Sequence, residues 1–277
     1  MKENKARVIA FYLPQYHPIP ENDKYWGKGF TEWTNVAKAK PLFRGHYQPH
    51  IPADLGFYDL RLPEVREAQA ELARDAGIEG FCYYHYWFGN GKMLLQKPFE
   101  EVLRLGKPDF PFCLCWANHD WTTKTWVKGS SMVNNTMIAQ QEYLGEQDDI
   151  KHFEYCLRAF KDHRYITIEG KPIFLIYDPL SFPNVKEFMN RWNFLAKKNN
   201  LKGIYFIGVT TGRQSSYKIV TNLGFDGVCH NRRWEAEAKA AGFRFVRRMQ
   251  SLCSCGISSR RNSGRNSAGQ TGEKPAS

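Results

Sequence analysis

The chain has 277 residues, 42% of them hydrophobic and 15% aromatic, with a formal net charge of +11. No stretch reaches the roughly 18 apolar residues of a membrane-spanning helix, and MKENKARVIAFYLPQ lacks the apolar run of a signal peptide, so no integral membrane segment and a cytoplasmic location are expected. Residues 231–277 hold ten Lys or Arg against three Glu, so +7 of the +11 falls there, without the interleaved stacking residues of a nucleic-acid site; no nucleic acid is expected as a partner.

The first element in the chain is a short apolar strand, Val8 to Tyr12. It runs into LPQYHPIPENDKYWGKGFTEWTN, whose prolines and glycines predict irregular turns. This segment carries Tyr16, His17, Tyr25, Trp26, Glu32 and Trp33, the furniture of a sugar site: aromatic faces cover the C–H surface of a pyranose while carboxylate, imidazole and phenol hold its hydroxyls. A large surface loop pinned by its own aromatics would read the same way.

Beyond it, Pro63 to Asp75 has helical spacing with proline in its first turn and Gly77 as a stop signal. Strands follow at Gly80 to Tyr84, Phe112 to Ala117, Ile173 to Tyr177, Ile204 to Val209 and Gly227 to Cys229. The helical patterns between them are Lys97 to Arg104, Asp149 to Lys161, Val185 to Asn199 and Ser215 to Leu223. Gly91 to Leu94 predicts a flexible lip. Cys82, Cys113, Cys115 and Cys156 lie in apolar segments, and the Cys113–Cys115 pair is too poor in nearby His or Cys for zinc, so buried free thiols and no metal are expected.

Nearly all-apolar strands alternating with helices predict a parallel sheet covered by helices. No glycine-rich phosphate loop follows the first strand, which disfavours a dinucleotide-binding sheet, and no cofactor is implied. Strand ends instead run into Tyr16-His17, His85-Tyr86-Trp87, Trp116-Ala117-Asn118-His119-Asp120-Trp121 and Tyr177-Asp178, which a closed barrel gathers at one face. The expected fold is therefore α/β, a (β/α)8 TIM-barrel type, incomplete at about six βα units over residues 1–230. Residues 231–277 read as a basic tail, one helix and then a disordered Ser/Arg/Gly-rich stretch.

The runs FYLPQYHPIPENDKYWGKGFTEWTNV, QPHIPADLGFYDLR, AGIEGFCYYHYWFGNGKMLLQKPFEEVL and FCLCWANHDWT resemble the WbsX-type glycosyltransferases, also called glycoside hydrolase family 99-like proteins. The resemblance covers residues 5 to 228. It implies a (β/α)8 barrel acting on glycosidic bonds, a glycan or glycan precursor as partner, and a setting in bacterial surface polysaccharide or O-antigen synthesis. The wider family contains retaining endo-α-mannosidases, whose two working glutamates lie in a Glu-Trp-x-Glu motif late in the barrel. Here Trp234-Glu235-Ala236-Glu237 is only a superficial echo, and the loss of pattern after Val228 is expected of a truncated or frame-shifted gene. A catalytically inactive remnant that binds carbohydrate is the alternative reading.

Glycosidic chemistry commonly needs two carboxylates about 5 to 10 Å apart. Glu32 and Asp120, each between aromatics, are the candidate catalytic pair. For Glu32 the competing role is capping the Trp33 to Lys38 turn, and for Asp120 it is bonding loop backbone. Substrate contacts are expected from Tyr16, His17, Trp33, His85, Trp87, Trp116, Asn118, Trp121 and Asp178. His17 and His85 serve equally well as structural histidines, and Trp116 could instead close a barrel layer. His119 gains a metal or hydroxyl role only if His17 or His85 faces it.

Overall fold

A computed structural model describes residues 6–123, 125–126, 133–134, 136–210 and 215–230. The tail beyond His230, with its expected helix and disordered stretch, lies outside the described residues.

Strand β1 (Ile9–Tyr12) leads into two short helices, α1 (Pro20–Trp26) and α2 (Glu32–Lys38), where irregular turns were expected. Pro20 supplies the preset φ that starts α1, and α2 begins at a capping box in which the Thr31 side chain accepts from the backbone while Thr34 reaches back. Helix α3 (Pro63–Asp75) occupies the predicted span and stops at Gly77, whose φ is 76°.

Strand β2 (Gly80–Trp87) is three residues longer than expected and pairs antiparallel with β3 (Met93–Leu94). Gly89, Asn90 and Gly91 all adopt positive φ, closing a tight connection whose Leu94 and Leu95 are buried; the expected flexible lip is a packed hairpin. Helix α4 (Lys97–Leu105) and strand β4 (Phe112–Trp116) follow. The next four strands are short: β5 (Trp121–Thr122) pairs with β8 (Met137–Ala139), and β6 (Thr125–Trp126) with β7 (Val133–Asn134).

Helix α5 (Glu146–Phe160) starts after Gly145, with Glu146, Asp148 and Asp149 in the first turn where the dipole favours acids. Strand β9 (Thr167–Ile168) forms a small hairpin with β10 (Lys171–Ile176). The chain continues through α6 (Val185–Lys198), β11 (Tyr205–Thr210), α7 (Ser215–Asn222) and β12 (Gly227–His230).

Six strands pair in parallel in the order β1-β2-β4-β10-β11-β12. That order follows the chain and never reverses. A doubly wound sheet must reverse at its switch point, whereas consecutive barrel staves do not, so the strand order identifies an incomplete (β/α)8-type barrel among the described residues.

The register divides each strand into two faces. One carries Tyr83, His85, Trp87, Phe112, Leu114, Trp116, Phe174, Ile176 and Phe206, all packed beneath the helices, with Trp192 of α6 wholly buried against Phe174 and Phe188 at 4.7 and 4.6 Å. The other carries Phe11, Cys82, Tyr84, Tyr86, Cys113, Cys115, Leu175 and Ile207. Cys82, Cys113, Cys115 and Cys156 are buried free thiols, as the sequence implied.

Candidate functional site

The inner face opens at the carboxyl ends of β1, β2, β4 and β10 into a cavity of about 800 Å³. Its floor is aromatic. Tyr84 stacks on Phe11 at 5.4 Å and meets Tyr177 edge-on at 6.0 Å, while Tyr86 lies 6.1 Å from Trp121. One wall is α1, from which Asn22 and Trp26 face the cavity one turn apart, with Phe30 stacked on Trp26 at 4.9 Å. Gln15, just past β1, donates from Nε2 to the Tyr86 hydroxyl at 3.2 Å.

Glu32 enters from the first turn of α2. Because Thr31 performs the capping, the Glu32 carboxylate is released from that duty and faces the cavity beside Asn35. Burial raises its pKa above the ordinary carboxylate range, and a hydrogen bond from Asn35 opposes the shift. Among the described residues lining the cavity it is the one carboxylate. Burial also pushes Tyr86 up to about 12 and raises Tyr84, so both phenols stay protonated donors at neutral pH. The Asn22 side-chain oxygen is buried without a hydrogen-bond partner among the described residues, an acceptor at the cavity it lines. A polar fringe of amide, phenol and carboxyl groups around flat rings is suited to a polyhydroxylated ligand, and a carboxyl with a raised pKa is suited to donating a proton.

Of the residues expected at this site, Glu32 and Trp121 line the cavity. His85, Trp87 and Trp116 are carried on the opposite face of the sheet. There the His85 ring meets His152 of α5, the Trp87 indole donates to Asp148 at 3.0 Å, and the Trp116 indole donates to the Trp87 carbonyl at 2.9 Å. The cause is strand parity: once Tyr84 and Tyr86 point inward, His85 and Trp87 must point outward.

Asp120 is exposed and accepts from the Gln141 amide at 2.8 Å, bracing the connection after β8 and lying outside the cavity lining. Asn118 is a clamp: its amide nitrogen donates to the Asp178 carbonyl and the Tyr143 hydroxyl, and its oxygen accepts from the Asp178 amide at 2.7 Å. Asp178 itself accepts from Ser181 in a turn. Tyr16 and Trp33 pack on each other and on Tyr58, with the Trp33 indole donating to the Tyr58 carbonyl. His17 is buried beside a separate, smaller cavity. Neither His17 nor His85 faces His119, which lines the main cavity with its ring 5.4 Å from Tyr177.

Sequence reasoning did not select Gln15, Asn22, Asn35, Tyr84, Tyr86 and Tyr177, named Trp26 only among the aromatics of the opening loop, and gave His119 only a conditional role. One signal was present: the four-residue spacing of Asn22 and Trp26 puts both on one helical face.

Residues 8–262 match the family model described as Glycosyltransferase WbsX. The chain is similar to the uncharacterized protein WxcX of two Xanthomonas campestris pv. campestris strains, with 42% identity over 223 residues. That alignment covers 80% of this chain and 31% of each relative, so the chain spans about a third of the relatives' length. Among solved structures, it is similar to a GH99 endo-alpha-mannosidase from Bacteroides thetaiotaomicron in complex with BIS-TRIS-propane, with 16% identity and a TM-score of 0.49, covering 80% of this chain and 57% of that one. A glycoside hydrolase-like protein gives 16% identity and a TM-score of 0.45, covering 65% and 53%.

Proposed function

Because the chain belongs to the WbsX glycosyltransferase family, we propose that the strand-end cavity binds a glycan and that Glu32 is its proton-transferring group. The observation that carries this reading is a half-buried carboxyl with a raised pKa, facing an aromatic cavity at the end of the barrel where such folds hold their chemistry. The sugar ring lies against Trp26, Phe30 or Trp121. Gln15, Asn22, Asn35 and the phenols of Tyr84 and Tyr86 hold its hydroxyls, and the Glu32 carboxyl delivers a proton to the glycosidic oxygen as its bond to the anomeric carbon breaks and that carbon bonds instead to water or an acceptor hydroxyl, whose proton is lost to solvent. The substrate is a glycan or glycan precursor of bacterial surface polysaccharide, of the O-antigen or lipopolysaccharide kind, handled in the cytoplasm.

One observation favours a second reading, binding without turnover. Glycosidic cleavage commonly uses two carboxylates, and the described part of the cavity presents one.

Titration of the chain with surface-polysaccharide oligosaccharides, followed by tryptophan fluorescence and by product analysis, separates the two. Saturable binding weakened by Trp121→Ala supports the glycan site. Product formation abolished by Glu32→Gln supports the catalytic reading, whereas binding with no product supports the second. Binding that neither Trp121→Ala nor Glu32→Gln alters overturns both.

A further inference from the structure

A second cavity, of about 320 Å³, lies behind α1, between the His17 to Glu21 segment and the start of α4. Helix α1 is a shared wall: Asn22 and Trp26 face the main cavity, and Pro20 and Glu21 face this one. His17 lines it with 1% of its surface exposed, and both ring nitrogens are buried without a hydrogen-bond partner among the described residues. The Pro14 carbonyl lies near the ring, but neither nitrogen meets it in bonding geometry. An imidazole carries one donor and one acceptor when neutral, and leaving both unmade in a buried place costs about 1–3 kcal/mol each. A ligand group that takes up the N–H removes part of that penalty.

The surroundings state which kind of ligand group fits. Arg61 and Lys97 both line the cavity. The Arg61 guanidinium is held in place by Asp59 through three hydrogen bonds from Nε and Nη2, whereas the Lys97 ammonium makes no hydrogen bond among the described residues. Lys97 also opens α4, a nine-residue helix whose N-cap, Gln96, makes no side-chain cap bond. Pro98 has no amide hydrogen, so Lys97 and Phe99 supply the uncapped first-turn N–H groups at the positive end of the helix dipole. Glu21 is the opposing charge on the rim. Asp59 offsets Arg61 and Glu21 sits on the rim, so the preference for an anion rests on Lys97, the Arg61 donors that Asp59 does not take, the uncapped helix start and the unpartnered buried imidazole.

We propose that this cavity is an oxyanion subsite that takes a phosphate or carboxylate group, bound by Lys97, Arg61, the first-turn amides of α4 and a ring nitrogen of His17. Burial keeps the His17 ring neutral, with a pKa of about 4, so it contributes an N–H donor and not a third full charge. On the reading of the main cavity as a glycan site, the shared α1 wall sets the subsite beside it, so that an acidic sugar or a phosphate-linked precursor could place its anion here.

The test is NMR of the chain labelled at histidine, with the His17 ring assigned by its loss in His17→Gln, titrated with inorganic phosphate and separately with glucuronate. Saturable movement of the His17 ring resonances by either anion is expected, with neutral glucose without effect; the anion that binds more tightly distinguishes phosphate from carboxylate. Lys97→Ala, on an exposed side chain that leaves the fold intact, should weaken binding at least fivefold, and Glu21→Gln should tighten it. No His17 movement with either anion up to about 50 mM, or movement unchanged in both Lys97→Ala and Arg61→Gln, overturns the proposal; the millimolar ceiling corresponds to the weakest affinity worth calling a site. Glu32 and Trp121 do not line this cavity, so failure here leaves the glycan titration of the main cavity to stand or fall separately.

Discussion

His85 and His152 share a buried hydrogen bond between their Nε2 atoms, 2.8 Å long, that ties strand β2 to helix α5 across 67 residues of sequence. Trp87 stacks on His152 at 4.6 Å and Tyr155 on His85 at 5.5 Å, while Trp116 and Trp192 close the edges. One ring must donate and the other accept, so the accepting ring is neutral, and burial of both disfavours a charge on either. It belongs to the packing between sheet and helices, not to the cavity on the other face.

Acid should therefore unfold the chain early. Burial lowers the His85 pKa to about 3, and burial together with His85 lowers that of His152 well below 6.5. The folded state binds fewer protons than the unfolded state in this range. The stability these residues allow is complete above about pH 6.5 and is lost as pH falls toward the folded values. From His85 alone the loss at pH 4 is about 3 kcal/mol. Urea midpoints measured from pH 7.5 to 4 should fall steeply below 6.5; a flat profile would show that the pair is not buried and neutral.

Gly80→Ala should disrupt the start of β2. A Cβ at Gly80 would sit 2.4 Å from the Pro111 carbonyl oxygen and 2.9 Å from Ile166, and the first of these is backbone that cannot rotate away. The Phe81 amide also bonds that carbonyl at 2.9 Å, so relief of the clash costs a strand contact. A loss of about 2–4 kcal/mol is expected, in the range of backbone-clashing core substitutions. Wild-type stability in chemical denaturation would contradict it.

Helix α6 supplies an internal comparison. Trp192 is wholly buried among Phe153, Phe160, Phe174 and Phe188, whereas Phe194, two residues on, is 67% exposed. Trp192→Ala should cost about 3–5 kcal/mol, while Phe194→Ala should stay within about 0.5 kcal/mol. Thermal melts of the pair read the difference directly, and equal losses would refute the placement of this helix.

Much of this was legible because hydrophobic pattern and strand burial are the same fact: Phe112 to Trp116 and Ile173 to Ile176 are apolar throughout because both of their faces are covered. Helix α3 was legible in full because Pro63 and Gly77 mark its ends. Helices α1 and α2 were not, since their Pro, Gly and aromatic content carries no apolar period and only the Thr31–Thr34 box announces α2. The candidate site was half legible for a different reason. Sequence shows which residue types gather at a strand end but not which parity faces inward, so His85 and Trp87 were chosen where Tyr84 and Tyr86 line the cavity.

Asn118→Ala tests how the loop after β4 is positioned. Asn118 is 1% exposed and bonds both the amide and the carbonyl of Asp178 as well as Tyr143, joining the ends of β4 and β10 next to His119 and Tyr177. Alanine leaves the Asp178 amide and carbonyl without these partners, a loss of about 2–3 kcal/mol. Glycan affinity should fall with it, because His119 and Tyr177 are set by the same link. Stability and affinity both unchanged would mean that the loops are held by other contacts.

The last prediction concerns Glu32 and its protonation. Desolvation raises its pKa, so the acid form persists to higher pH than an exposed glutamate allows, and as general acid its activity should decline as pH rises through that raised value. Glu32→Gln should lower turnover about 10²- to 10⁴-fold, as loss of a positioned proton donor does. Trp26→Ala opens the α1 wall to water and removes a stacking face, so glycan affinity should fall, while the relief of desolvation should move the declining limb of turnover at saturating glycan to lower pH. Structural damage alone would lower the whole profile without moving its limb. Measured pH–rate profiles of the two variants and the unaltered chain therefore decide between a proton donor and a merely structural carboxylate; a limb that stays in place in Trp26→Ala and survives in Glu32→Gln would assign the proton to another group.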